Sequence, residues 1–400
     1  MTYPTYLQDY VVFPFAPLVE CKETLQTKTH VIRANDGSEQ RMSIRNVPRQ
    51  SFDFSIRLNN SLEISRLDTL LFGWQKKYWA LPVWPEKTIH TGTINAGVST
   101  LTFDTSYADY RDATLAIIWQ SSSIFDVVLI DTVYPTYLSL STVTNRSFTG
   151  TKLIMPCRLA KMITPTSGNQ ESRKEGIWNF SFMVVDNVLL TEHIPLVEYP
   201  EGTSADSQEV VTIPSLIKDG EETESDADLS SQDYGIGGFD FFSDSTYNIL
   251  SRPYKKRNRT KAECWAFRLW LHSFYGRQNV KWFPTFKNDL TLIDPIGPAD
   301  ESFEIENIGL ASNMGLNSLR THLVFVLSDG TQLYREIINI NENSSGTETV
   351  TIDSVLGQTI GVDDIVCFLD KCRLASDETE IMWKTGDENE YDLTIMGVTA

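Results

Sequence analysis

The chain has 400 residues, of which 41% are hydrophobic and 22% are charged, and its formal net charge at pH 7 is −19. These proportions are those of an ordinary folded protein, and the length suits two or three domains that each bury a core. The acidic balance argues against nucleic acid or an anionic membrane as the main partner, because both require a basic face.

Residues 1–17 are rich in proline and aromatic side chains. Proline cannot occupy the middle of a sheet, but it permits an extended contact at an edge. In a ring assembly this segment is a candidate for an arm that reaches a neighbouring subunit, and the residues that would make the contact are Tyr3, Tyr10, Phe13 and Phe15.

Apolar and polar residues alternate over 21–33 and again over 49–58, with the turn signal Asn35-Asp36-Gly37 between them. Alternation with a glycine-containing turn predicts a β-hairpin. A helical pattern begins after Asn60 or Ser61, either of which can cap it, and a second helix is predicted over 261–274.

Short apolar runs separated by Ser, Asp and Gly follow each helix, and Ser328-Asp329-Gly330 between two of them is a hairpin signal. Regular short strands of this kind favour a barrel or a sandwich over a parallel sheet. The sequence therefore predicts a mainly β (α+β) fold with two antiparallel β-barrel or sandwich domains, each carrying one packed helix.

The two halves also contain similar strings in the same order. Leu81-Pro82-Val83-Trp84 matches Phe283-Pro284-Thr285-Phe286, Cys157-Arg158-Leu159-Ala160 matches Cys372-Arg373-Leu374-Ala375, and the alternating run 178–182 matches 391–395. Self-similarity over such a length predicts two globular domains that arose by internal duplication. We place them at 1–195 and 251–400, with an acidic linker at 196–250 whose composition cannot support a core of its own.

Residues with catalytic or metal-binding chemistry are sparse in this sequence. It has five histidines and five cysteines, and their spacing does not match a zinc site. The sequence also has no GxSxG nucleophile motif and no glycine-rich loop that ends in GKS or GKT. Paired acids such as Glu378 and Glu380 are expected by chance among 53 carboxylates. We predict no catalytic residue, no cofactor and no metal, with buried, reduced thiols. No apolar run is long enough to span a membrane.

Aromatic residues cluster at equivalent positions of the two halves. Such rings suit either a packing seam and a subunit interface or, in the case of Trp74, Tyr78, Trp79 and Trp84, a surface that stacks on sugars. Their recurrence in both halves favours packing. The candidate packing or interface residues are Phe72, Trp74, Trp79, Trp84, Phe274, Phe283 and Phe286.

Several strings resemble a group of tail-tip virion proteins of long-tailed bacteriophages. In the first half these are Gly37-Ser38-Glu39-Gln40-Arg41, Val47-Pro48-Arg49, Leu71-Phe72-Gly73-Trp74-Gln75 and Trp79-Ala80-Leu81-Pro82-Val83-Trp84; near the end they are Cys372-Arg373-Leu374-Ala375 and Glu380-Ile381-Met382-Trp383-Lys384-Thr385. The resemblance covers both halves but not the acidic linker.

This resemblance implies a structural protein of the distal tail, made in the host cytoplasm and incorporated into the virion. It implies a homo-oligomeric ring or hub that joins the tail tube, near the end of the tape measure, to the hub and receptor-binding parts. Two alternatives stay open at this point. One is a tail protein that binds a host-surface glycan, and the other is a hydrolase of cell wall or capsule.

Overall fold

The computed structural model describes residues 10–34, 38–200, 207–216, 224–226, 229–233, 235, 237–238, 240–243, 249–316 and 320–398. The first half contains β1 (Tyr10–Val12), β2 (Cys21–Arg33), β3 (Glu39–Leu58), α1 (Ser61–Leu71), β4 (Tyr78–Pro82), β5 (Thr88–His90), β6 (Thr100–Thr102), β7 (Leu115–Ser121), β8 (Ile124–Tyr134), β9 (Tyr137–Leu140), β10 (Lys152–Met162), β11 (Ser167–Ser172) and β12 (Glu175–Val184). Short 3-10 turns occur at Trp74–Lys76 and Trp84–Glu86.

The middle of the chain contains β13 (Glu198–Tyr199), β14 (Gln208–Glu209), β15 (Glu224–Asp226), β16 (Leu229–Gln232) and β17 (Asp240–Ser243). The second half contains β18 (Ile249–Asn258), α2 (Lys261–His272), β19 (Lys281–Pro284), β20 (Ser302–Glu306), a π-helical turn (Leu310–Met314), β21 (His322–Val326), β22 (Gln332–Glu342), β23 (Thr347–Ile352), β24 (Ile365–Leu374), β25 (Glu378–Thr385) and β26 (Glu388–Gly397).

The prediction of a mainly β fold is confirmed, because 22 strands join into one large, mostly antiparallel sheet. One helix packs on this sheet in each half. Each helix begins at a polar N-cap: the Asn60 side chain accepts the Glu63 backbone N–H at 2.8 Å, and the Thr260 side chain accepts that of Glu263 at 3.2 Å. These caps satisfy backbone donors that the first helical turn leaves unpaired.

The two halves use the same order of strand pairings around their helices. In the first half β3 pairs with β12, β12 with β10, and β10 with β4. In the second half β18 pairs with β26, β26 with β24, and β24 with β19. Trp178 lies opposite Ile56 and Tyr391 lies opposite Lys256, so the matched run at the end of each half has the same register. The duplication itself stays a prediction of the sequence.

One of the three matched strings is out of register. Cys157 lies opposite Pro82, the proline of the first string. The matching proline, Pro284, lies opposite Leu369 and not opposite Cys372, which is three positions further along β24. The two Cys-Arg-Leu-Ala strings therefore do not mark equivalent positions, and that part of the sequence comparison is wrong.

Each half carries a β unit with its own core. In the first half it lies between β4 and β10 along the chain, and in the second half between β19 and β24. Strands β5–β9 form the unit of the first half, with buried residues that include Leu101, Ile118, Val128, Ile130, Leu138 and Phe148. Strands β20–β23 form that of the second half, with Phe303, Ile305, Phe325, Ile337, Val350 and Ile352.

The two halves share the largest core of the described chain. It combines first-half residues such as Phe54, Ile56 and Phe182 with second-half residues such as Phe267 and Leu393. Strand β2 also pairs with β3 on one side and with β25 of the second half on the other. The halves predicted as separate domains are therefore built around a common interior in the folded chain.

Part of the predicted acidic linker belongs to the second half. Val210 forms a parallel bridge with Trp282, and Val210 and Val211 are both buried. Residues 207–216 are thus part of the packed structure, because apolar side chains in this segment lie against the sheet. About half of the rest of the predicted linker is described, and there β15 pairs with β18 and β16 pairs with β17.

The predicted buried thiols are confirmed, since all five cysteines are buried and free of disulfides. None of the helices in the described ranges is long and apolar enough to cross a membrane.

Candidate functional site

A groove of about 470 Å³ lies between two stretches of chain, residues 192–196 and 209–213, and the sheet and helix of the second half. This size is within the range of ordinary ligand-binding clefts. Its walls come from β18, α2, β26 and these two stretches. The lining residues include Ile213, Tyr254, Lys256, Ala266, Trp270 and Tyr391.

The floor of the groove is aromatic. The Phe267 ring stacks on the Tyr391 ring with centroids 3.5 Å apart, and the Tyr254 and Trp270 centroids are 6.0 Å apart. The Tyr254 hydroxyl donates a hydrogen bond to the Ile213 carbonyl at 3.2 Å, which ties the floor to the segment above it. Burial raises the pKa of both tyrosines, so they remain neutral.

A lysine side chain supplies a positive charge to this apolar surface. Alternation along β18 directs Lys256 toward the groove, whereas Lys255 pairs with Asp392 on the solvent side at 2.9 Å. Lys256 is half-buried, and its burial lowers the pKa of the ammonium group although Glu263 opposes the shift. Among the residues that the structure describes, no carboxylate lies within ion-pair distance of Lys256.

Charges at the other side of the groove compensate one another. Lys281 forms an ion pair with Glu209, and His193 Nε2 lies 2.9 Å from Glu209 Oε2. Burial by itself raises the pKa of Glu209, but its hydrogen bond from His193 and the charge of Lys281 lower it overall. Glu209 is therefore a satisfied carboxylate, and Lys256 is the group with capacity for a further anionic partner.

The groove occupies a position that is filled in the first half. The first arm, residues 10–18, pairs in parallel with β4 over Tyr10–Val12, and the Phe13 N–H donates to the Ala80 carbonyl at 3.1 Å. Residues 208–216, the second arm, run past β19 in the same way, and the Val211 N–H bonds the Trp282 carbonyl at 2.8 Å. Further along, both arms bond the helix-preceding strand, through Leu18 to Ser55 and through Leu216 to Lys255, each at 2.7 Å.

The side chains at the matching positions differ in size and polarity. The first arm places the buried rings of Phe13 and Phe15 where the second arm has Val211 and Ile213. The strand beneath has Phe54, Ile56 and Leu58 in the first half but Tyr254, Lys256 and Asn258 in the second. Smaller arm residues leave space and polar strand residues line it, so the second half has a groove where the first half has a core.

The sequence-predicted aromatic residues have several different environments. Trp79, Trp84, Phe274 and Phe283 are buried, Trp74 and Phe286 are half-buried, and Phe72 is 86% exposed. Packing therefore accounts for the first four. Trp79 and Trp84 leave no exposed face for stacking on a sugar, and Trp84 instead packs edge-on against Trp119 at 5.1 Å.

The predicted inter-subunit arm needs a correction. Phe13 and Phe15 are buried in the core of their own chain, where Phe13 contacts Phe180 and Phe182 with ring centroids 4.9 and 5.1 Å away. Two large rings held in this way cannot reach a neighbour without unfolding the core. Tyr10 is half-buried in β1, and Tyr3 lies outside the described residues.

Sequence reasoning missed the groove. The signal that points to it is Lys256 and Asn258 at inward positions of a strand whose alternation requires apolar residues there. The two polar residues indicate a groove only when they are compared with Ile56 and Leu58, which occupy the matching positions of the first half.

No protein-family model and no curated protein matches this chain.

Proposed function

We propose that the chain is a virion structural protein of the distal tail of a long-tailed bacteriophage, where it forms a ring or hub between the tail tube and the host-recognition parts. The observation that carries the proposal is the matched order of strand pairings in the two halves, together with the matched paths of the two arms. A chain built in this way offers two similar units to its neighbours.

Two similar units in each chain would suit a tail because of rotational symmetry. A closed ring of n chains presents 2n similar β units, because closed symmetry repeats every contact around the axis. A threefold ring of this chain would match a sixfold tube. The common core between the halves supports the role, since it holds both units at a fixed spacing within each chain.

Exposed apolar residues on the long hairpin favour contact with a neighbouring subunit. The hairpin continues beyond the sheet as a two-stranded ribbon, residues 28–33 and 39–45, in which β2 and β3 pair only with each other. Its outer face carries Ile32, Met42 and Ile44, each more than half exposed. Exposed apolar side chains grouped on one face are a feature that assemblies cover.

The proposal is tested by the oligomeric state of the purified full chain. We expect native mass spectrometry and negative-stain electron microscopy to show closed rings with an integer number of 45.4 kDa chains. The double variant Met42→Asp and Ile44→Asp should dissociate the rings while retaining the β-rich circular dichroism spectrum. Val143→Asp, at an exposed position of the β5–β9 unit, serves as the matched control. A chain that stays monomeric at tens of micromolar, or a ribbon variant that assembles normally, would refute the proposal.

A further inference from the structure

We infer that the groove of the second half is a docking site for an extended segment of a partner protein that presents a large apolar side chain next to a carboxylate. The inference does not depend on ring formation, because the groove lies within one chain. It follows from the way the matching space is filled in the first half, from the charge at the groove and from its rim.

The first half shows what kind of occupant this architecture accepts. There an extended segment supplies Phe13 and Phe15, and both rings are buried against the matching strand and neighbouring aromatic residues. In the second half the arm keeps its main-chain hydrogen bonds but supplies Val211 and Ile213, and Ile213 is 47% exposed. The missing volume is that of large apolar side chains, and the half-buried ring of Trp270 lines the space that they would fill.

The charge at the groove specifies the second part of the occupant. Lys256 occupies the position of the fully buried Ile56, so the second half has placed an ammonium group where packing alone would require an alkyl chain. Glu192, Glu209 and Glu263 also line the groove, and Glu263 acts on Lys256 through space, but none of the three forms an ion pair with it. A half-buried ammonium of this kind gains from an anion delivered to it in a partly desolvated site. A carboxylate next to an apolar side chain satisfies both features at once.

The rim favours a protein segment over a small molecule. Ile194 and Leu196 are 81% and 88% exposed, and both line the groove. These side chains extend the apolar surface along the segment that forms the upper wall, beyond the floor rings. Contiguous exposed apolar surface bordering a cleft is typical of a surface that a partner covers.

The first test uses 8-anilinonaphthalene-1-sulfonate, an aromatic anion whose fluorescence rises in apolar sites, with the full chain. We expect one saturable site per chain. Lys256→Gln should weaken binding about tenfold, which corresponds to the loss of one charge-assisted contact. Lys255→Gln is the matched control and should change affinity less than about twofold, because Lys255 lies on the solvent side of the same strand.

Two filling variants test the position of the site. Ile213→Phe copies the first half's Phe15, and Ala266→Leu fills the groove from the helix side; each should abolish saturable binding while the circular dichroism spectrum and the thermal transition are retained. If Lys256→Gln and both filling variants bind the dye like the original chain, the groove is not the site and the inference is overturned.

The second test identifies the source of the occupant. A blocked synthetic peptide with the sequence of residues 9–18 and the replacement Ala16→Asp, which sets a carboxylate next to Phe15, should compete with the dye, and the same peptide with both phenylalanines replaced by alanine should not. Failure of the first peptide at millimolar concentration would overturn the protein-segment inference. So would native mass spectrometry that shows a bound molecule of a few hundred daltons on the purified chain and none on Ile213→Phe.

Discussion

Arg268 Nη2 of helix α2 lies 2.7 Å from Glu23 Oε2 of strand β2, and both side chains are buried. The same guanidinium also forms an ion pair with Glu86. Glu23 accepts further hydrogen bonds from the Trp383 indole N–H at 2.7 Å and from the Gln50 amide at 2.6 Å. The burial of Arg268 favours its neutral form, but the two carboxylates outweigh it and raise the pKa, so the residue stays charged. This network joins the two halves by charge as well as by apolar packing.

Removing the guanidinium should therefore destabilise the whole chain. In Arg268→Met the buried carboxylates of Glu23 and Glu86 lose their counter-charge, and breaking a buried pair in this way costs about 3–5 kcal/mol. Urea unfolding followed by tryptophan fluorescence measures the loss. Arg57→Met removes a partner of the solvent-exposed Glu175 and should leave the midpoint unchanged. Equal midpoints for the two variants would contradict the prediction.

The folded chain should lose stability in mild acid through His272. The backbone N–H of Leu190 donates to His272 Nδ1 at 3.1 Å, and burial, aided by Arg268, lowers the pKa of the imidazole from 6.5 to about 4. Between these two values the unfolded chain binds a proton that the folded chain does not. Stability therefore falls as the pH is lowered from 6.5 toward 4, by up to about 1.4 kcal/mol per pH unit.

The His272 contribution is measured as the difference between unfolding free energies at pH 7 and pH 5. His272→Asn, whose amide oxygen can replace Nδ1 as an acceptor, should reduce that difference. His30→Asn, on the exposed face of the ribbon, should not. The prediction fails if the two variants show the same dependence on pH.

Replacing Phe13 and replacing Phe72 should affect the stability of the chain differently, although the sequence predicts an intermolecular or packing contact for each. Phe13→Ala empties a site surrounded by aromatic rings and should destabilise the chain by about 3–5 kcal/mol. Phe72→Ala changes an exposed ring and should leave the unfolding transition in place, but it should weaken assembly if that ring contacts a neighbour. Thermal unfolding of dilute protein, together with sedimentation velocity at higher concentration, separates the two effects.

The ribbon should be held to the second half by a bidentate pair. Glu39 Oε2 lies 2.7 Å from Arg373 Nε and Glu39 Oε1 lies 2.9 Å from Arg373 Nη2, and both side chains are buried. Glu39→Gln should release the ribbon, so that trypsin cleaves after Arg33 and Arg41 several times faster than in the original chain. Glu380→Gln, which removes an exposed pair with Lys22, is the control. Unchanged cleavage in Glu39→Gln would show that other contacts hold the ribbon.

Local patterns predict the local structure of this chain well. Alternation predicts β2 over 21–33, and α1 is capped by Asn60, one of the two residues that the sequence offers as caps. The Ser328-Asp329-Gly330 signal lies between β21 and β22, where Gly330 adopts a left-handed φ of 88°. Each of these features depends on side chains a few positions apart, which is the range over which a sequence reports structure directly.

Features that depend on distant segments escape prediction. The apolar arm at residues 10–18 is equally compatible with a neighbour's surface and with its own core, and only the parallel pairing with β4 decides in favour of the core. The groove is recognised only when that arm is compared with residues 208–216. The acidic composition around 208–216 predicts a linker there instead. The Cys-Arg-Leu-Ala strings mislead for the same reason, because register is set by pairing and not by identity.

The pairing of β2 with β25 has a consequence for the order in which the molecule is completed. Lys22 lies opposite Met382, so β2 obtains its second neighbour only after β3 to β24 and β25 itself have been synthesised. Until then its free edge is a template for pairing with other nascent chains. Contacts between residues so far apart along the chain also slow folding, since a long loop must close before they form. Premature termination before β25 would leave a product without β25 and β26, so that β2 would lack its second neighbour and β18 would lack β26.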